Sequence, residues 1–128
     1  MRFDEQITIV NGAVTADPIA TPANVPDSHI VRFRRRDPDV EAPNARFVLG
    51  LNAPVAETVD IELYVLDSSD DEAAAVDRRW YLVATIAGLA GRTLSETATA
   101  IVGGGLLYVR VTAETITVNR VLHIRASS

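Results

Sequence analysis

The stretch RWYLVATIA, residues 79–87, alternates as an extended strand does. Successive side chains of a strand point to opposite faces, so Trp80, Leu82, Ala84 and Ile86 share one side and Tyr81, Val83, Thr85 and Ala87 the other. The run holds the chain's only Trp. Its apolar parity places Trp80 inward, facing a second layer. A strand of this kind needs neighbours, and the chain supplies them on both sides.

Upstream, VDIELYVL (59–66) is the cleanest alternation, with Val59, Ile61, Leu63 and Val65 on one face and Asp60, Glu62, Tyr64 and Leu66 on the other. One apolar face and one wet face is the antiparallel-sheet pattern. Residues 46–52 set Phe47, Leu49 and Leu51 against Arg46, Val48, Gly50 and Asn52, and Pro54 ends the run. HIVRFRRR (29–36) directs Val31 and Phe33 inward, and residues 1–10 contain a short strand with Ile7 and Ile9 on one face. The Asn11-Gly12 pair that follows is a strong turn signal.

Downstream, residues 93–102 form a looser, Thr-rich candidate edge strand, and Gly103, Gly104 and Gly105 read as a hairpin connection. Leu107, Val109, Val111 and Ala113 then alternate with Leu106, Tyr108, Arg110 and Thr112. The last run, 117–125, changes parity between Val118 and Val121, which suggests a bulge near Asn119-Arg120 or a strand buried in part on both faces. Between the strands, residues 67–78 carry Ser69 three residues before Glu72, a capping-box spacing. Seven or eight strands in 128 residues, with at most one short helical turn in 69–78, predict an all-β fold. The expected form is a two-sheet antiparallel β-sandwich, jelly-roll-like.

A chain of 128 residues with 48% hydrophobic content holds one domain with its own core. Residues 1–28 divide into an N-terminal strand and a segment with Pro18, Pro22 and Pro26 at even spacing; residues 29–128 form the sandwich. Proline donates no ladder hydrogen bond, so 13–28 reads as a long surface loop or as an extended arm laid on a neighbouring subunit. There is no Cys, hence no disulfide framework and no thiolate site. All 12 basic residues are Arg, and the net charge is -5, which argues against a nucleic-acid partner. The N-terminus lacks the basic-then-apolar order of a signal peptide, and no apolar run approaches the roughly 18 residues of a membrane span. A soluble chain made in the cytoplasm is expected, with no membrane partner.

No catalytic residue, metal ligand set or cofactor-binding residue emerges, and the chain reads as a non-enzyme without a small-molecule substrate. Its two histidines, His29 and His123, sit in strand-like contexts, and no HExxH, G-x-S-x-G or phosphate-loop pattern is present. The acids Asp67, Asp70, Asp71, Glu72 and Asp77 invite a calcium site, but their spacing is not that of an EF-hand and they read as a solvated loop. The Arg34–Arg36 run reads as a strand end in water, paired with the acids after it. Pro18, Pro22, Pro26, Arg34, Arg36, Tyr64 and Tyr108 are the candidate partner contacts.

The last third, RRWYLVATIAGL, TLSETATAIVGGG and LLYVRVTAETITVNRVLHI, resembles a pattern of small virion proteins of tailed bacteriophages. The matching residues are Trp80, the turn at Gly103 to Gly105, and the strand Tyr108-Val109-Arg110-Val111-Thr112. Here the turn before the Trp is the longer acidic loop 67–78. The resemblance implies a structural role in the virion, as a head decoration or cement protein or a tail-associated piece. It implies a homo-oligomer, a trimer above all, bound to the major capsid or another virion protein. The rival expectation is a carbohydrate-binding sandwich presenting Tyr64, Tyr81 and Tyr108 to a sugar.

Overall fold

The computed structural model describes residues 2–32, 44–70, 72–100 and 106–127. Among these the strands are β1 (Arg2–Ile9), β2 (Ile30–Arg32), β3 (Asn44–Asn52), β4 (Thr58–Leu66), β5 (Trp80–Ala90), β6 (Leu94–Ala100), β7 (Leu106–Glu114) and β8 (Arg120–Ser127). They form two four-stranded sheets, ordered β1-β8-β3-β6 and β2-β7-β4-β5, with every ladder antiparallel. First pairs with last, second with seventh, third with sixth and fourth with fifth, as if a long hairpin of strands had been rolled over itself. That winding is a jelly roll, the all-β sandwich expected from the alternation. No described helix is long and apolar enough to cross a membrane.

The main core lies between the sheets. Phe47, Leu49, Leu51, Leu122 and Ile124 project from one sheet onto Val59, Ile61, Leu63, Val65, Leu107, Val109 and Val111 of the other. Those of β3, β4 and β7 keep the alternation read from the sequence, and all are essentially inaccessible to solvent.

Trp80 departs from that parity. It pairs with Leu66 across the ladder and packs with Tyr64, Leu66, Leu106 and Tyr108 on the outer face of the β2-β7-β4-β5 sheet. The reason is a bulge: Leu63 stands opposite Ala84 but Tyr64 stands opposite Leu82, so Val83 is an extra residue. One inserted residue exchanges the faces of everything beyond it. Ala84 and Ile86 therefore face the main core as expected, while Trp80 and Leu82 face outward. A second extra residue falls before Leu89, where Gly88 takes a φ of +65° and donates its N–H to Asp60 Oδ1 at 2.7 Å.

The expected wet face of β4 is also corrected. Its first half is polar and half-buried at Asp60 and Glu62, but Tyr64 and Leu66 are buried. They lie beneath the segment between β1 and β2, from which Val25 packs on this second cluster beside Ile30 of β2. The segment is neither strand nor free coil, and carries 3-10 turns at Pro22–Asn24 and Asp27–His29.

Two smaller expectations change. The 67–78 connection holds two 3-10 turns, Ser68–Asp70 and Ala75–Asp77, rather than at most one. Ser69 bonds Asp67 Oδ1 through both its N–H and its hydroxyl, so it closes a local turn instead of capping a helix. At the C-terminal end there is no bulge at Asn119-Arg120; residues 117–118 bend and β8 begins at Arg120. Phe33 lies outside the described residues.

Candidate functional site

The feature with a clear capacity for interaction is the edge strand β5. Among the described strands it pairs with β4 alone. Its sequence, WYLVATIAGLA, contains no charged residue and no Pro over 11 residues. The other edges are blunted. β1 carries Arg2, Asp4 and Glu5. On β6, Glu96 is tied to Arg46 at 2.8 Å. β2 is only 3 residues long. Charge, Pro, brevity and β-bulges are how natural sheets prevent edge-to-edge pairing, and of these β5 has the bulges alone. The two bulges divide its regular pairing into Trp80 to Leu82, Ala84 to Ile86 and Leu89 to Ala90. Tyr81 is 42% and Leu82 47% exposed beside Thr85, which is also exposed.

The edge of β7 beyond β2 is closed differently, by the chain's own 13–29 segment. Thr15 donates its N–H to Val111 O at 2.9 Å and accepts the Val111 N–H on Oγ1 at 2.7 Å. His29, buried, donates from Nδ1 to Val109 O at 3.1 Å, and Tyr108 donates its hydroxyl to Ala16 O at 2.9 Å. These bonds lay the segment on the molecule's own sheet.

Five of the seven candidate contact residues lie in or beneath this segment. Pro18 is buried, and Pro22 and Pro26 are half-buried within the covering segment. Tyr64 and Tyr108 are buried under it, their rings 6.1 Å apart, which closes them to a partner or a sugar in this conformation. Burial raises the pKa of both hydroxyls. Tyr64 donates to Glu62 Oε1 at 2.9 Å, and Arg110 reaches the same oxygen at 2.7 Å, a polar border along one side of the cluster. Arg34 and Arg36 lie outside the described residues.

In the acidic 67–78 connection Asp67 and Asp70 are internally paired, whereas Glu72 and Asp77 are exposed and Asp71 lies outside the described residues. Asp70 is buried and accepts the Arg79 backbone N–H, Nε and Nη2 at 2.7, 3.0 and 3.1 Å. Those bonds hold its carboxyl below the usual carboxylate range. Asp67 is lowered more strongly, first by the Tyr81 hydroxyl at 2.5 Å and then by Ser69. No group of three or more His, Asp or Glu among the described residues is arranged to hold a metal ion.

A third carboxylate, Glu57, was not singled out by any motif. It grips Arg120 with two parallel bonds, 2.8 Å to Nε and 2.7 Å to Nη2, and its backbone O accepts the Gly91 N–H at 2.9 Å. It joins the loop before β4 to the start of β8 and to the β5–β6 corner. This is a structural clamp, and the Arg120 guanidinium holds its carboxyl below the ordinary value.

Comparison with protein-family models, with curated proteins and with solved structures finds no match to this chain.

Proposed function

We propose that this chain is a non-enzymatic assembly subunit, a jelly roll that decorates or cements the capsid or tail surface of a phage-like particle. The observation that carries the reading is the long β5, free of charge and Pro, at the edge of its sheet among the described strands. Main-chain donors and acceptors along such an edge accept a neighbour's strand, and side chains at alternate positions select which strand. Pairing of β5 with its own copy makes a two-fold dimer, whereas pairing with a different edge of the next copy is head-to-tail and closes into a ring such as a trimer. Weak contacts repeated on a symmetric shell then become tight by avidity. The jelly roll and the resemblance of residues 78–124 to small phage virion proteins support the same reading. The carbohydrate-binding alternative is weakened by the burial of Tyr64 and Tyr108, which leaves Tyr81 as the exposed tyrosine.

The test is light scattering over a concentration series, with co-sedimentation on purified phage capsids and tails. A multimer that Thr85→Lys converts to a folded monomer supports the proposal. A wild-type chain that stays monomeric at high concentration and sediments with neither particle overturns it.

A further inference from the structure

On the outer face of the β1-β8-β3-β6 sheet, Gly50 of β3 stands between Leu94 of β6 and His123 of β8, its direct partners across the two ladders. With no side chain at Gly50, Leu94 leans over that position, where a Cβ would lie 2.9 Å from Leu94 Cδ2, and a hollow opens beside it. The hollow has a volume of about 560 Å³, within the range of small-ligand sites. Val48 and Leu94 give it an apolar wall; Asn52, Arg92, His123 and Arg125 line the rest.

Arg92 is held there by the fold. At the β5–β6 corner Gly91 passes so close to the chain before β4 that a Cβ would sit 2.2 Å from Pro54 O. Arg92 follows with a φ of 61°, a left-handed conformation that a side-chain-bearing residue adopts at a cost, and its N–H is tied to Leu51 O at 3.0 Å. Its guanidinium is exposed and makes no ion pair with any described residue. His123 is half-buried, and neither of its ring nitrogens has a partner among the described residues. Arg92 and Arg125 both line the hollow, in a chain whose net charge is -5.

We infer that this hollow binds a carboxylate carried on a short branched aliphatic group, the carboxylate at Arg92 and His123 and the aliphatic part beside Gly50 against Leu94 and Val48. A guanidinium matches a carboxylate in planar, two-bond geometry, and an imidazole N–H and the Asn52 amide supply further donors. The same chemistry is offered by a small free acid and by a chain terminus ending in Leu or Val. The site shares no residue with the β5 edge and stands independently of the assembly role.

The experiment is an NMR titration of the intact chain with 4-methylpentanoate, with acetyl-Ala-Leu, and with 4-methylpentanamide as the uncharged control. Saturable shifts centred on Gly50, Arg92 and His123 are expected with an acid, and the amide should bind at least about tenfold more weakly, since a hydrogen bond to a charged group is lost. Tighter binding of acetyl-Ala-Leu assigns a chain terminus; tighter binding of the free acid assigns a small molecule. Arg92→Gln should weaken binding about tenfold with the fold unchanged, and Gly50→Val should remove it by filling the hollow. Equal binding of acid and amide, saturable shifts elsewhere on the molecule, no saturation with either acid, or an Arg92→Gln variant that binds as the wild type does would overturn the assignment.

Discussion

Trp80 and Tyr108 pack ring to ring, centroids 5.9 Å apart and planes at 57°, on the side of their sheet that faces away from the other sheet. The molecule thus has two cores: the large one between the layers, and a small aromatic one between the β2-β7-β4-β5 sheet and the segment that crosses it. The second core explains how a surface segment with evenly spaced prolines stays in place.

Trp80→Ala should therefore do two things. Removing a buried aromatic costs about 3 kcal/mol, and the loss should be accompanied by faster proteolytic cleavage within residues 13–28, whose support is gone. Denaturant melts and limited proteolysis read the two effects separately. Trp80→Phe keeps most of the packing and deletes an indole N–H that has no acceptor among the described residues, so it should cost under about 1.5 kcal/mol.

The segment is also held by directed bonds, which point substitutions can remove one at a time. Thr15→Val leaves the Val111 N–H without its side-chain acceptor and should cost about 1–2 kcal/mol. Tyr108→Phe loses the bond to Ala16 O and should cost about 1 kcal/mol. Val14→Ala, at an exposed neighbour, should stay within about 0.5 kcal/mol of wild type. Equal stability of all three variants in urea melts would show that the segment is not bonded as described.

Two glycines should respond oppositely to the same substitution. Gly50 sits in regular strand conformation, and a Cβ there meets only the movable end of Leu94. Gly50→Ala should therefore be neutral or stabilising by about 0.5 kcal/mol, through a less flexible unfolded chain. Gly91→Ala drives a Cβ into Pro54 O and Ala53 O, both backbone atoms that cannot swing aside. It should cost at least about 2 kcal/mol. Thermal melts of the pair decide the point.

Acid sensitivity should trace to three paired carboxylates. Glu57, Asp67 and Asp70 all have folded pKa values below their ordinary ones. Their stabilisation is fully present above the unfolded value, about 4, and is lost as pH falls through the folded values. Arg79→Met removes the partner of Asp70 and should move the midpoint of acid unfolding to higher pH. Tyr81→Phe should do the same by releasing Asp67. Both shifts are read by circular dichroism in an acid titration, and an unmoved midpoint in both variants would place the acid-labile group elsewhere.

Much of the strand layout was legible because alternation is local. Phe47, Leu49 and Leu51, or Val59 through Val65 at odd positions, declare an inward face through their own neighbours alone. Trp80 did not follow because Val83 is an extra residue only relative to β4, and a bulge is a property of a pair of strands. Tyr64 and Leu66 took the solvent side by parity, and their burial depends on a segment some distance back in the chain. The hollow left a faint signal, Gly50 inside a strand, but a missing side chain makes a cavity only when Leu94 and His123 flank it.

By itself, then, the sequence determined the all-β class, the core-facing parities of most strands and the absence of charge along residues 80–90. Each follows from a two-residue period and from residue type, which need no partner to be read. The tertiary structure alone decided the strand order within each sheet, the second core around Trp80, the place of β5 at a sheet edge and the hollow beside Gly50. Those depend on register and on which distant strands become neighbours, free-energy choices made by the whole chain at once.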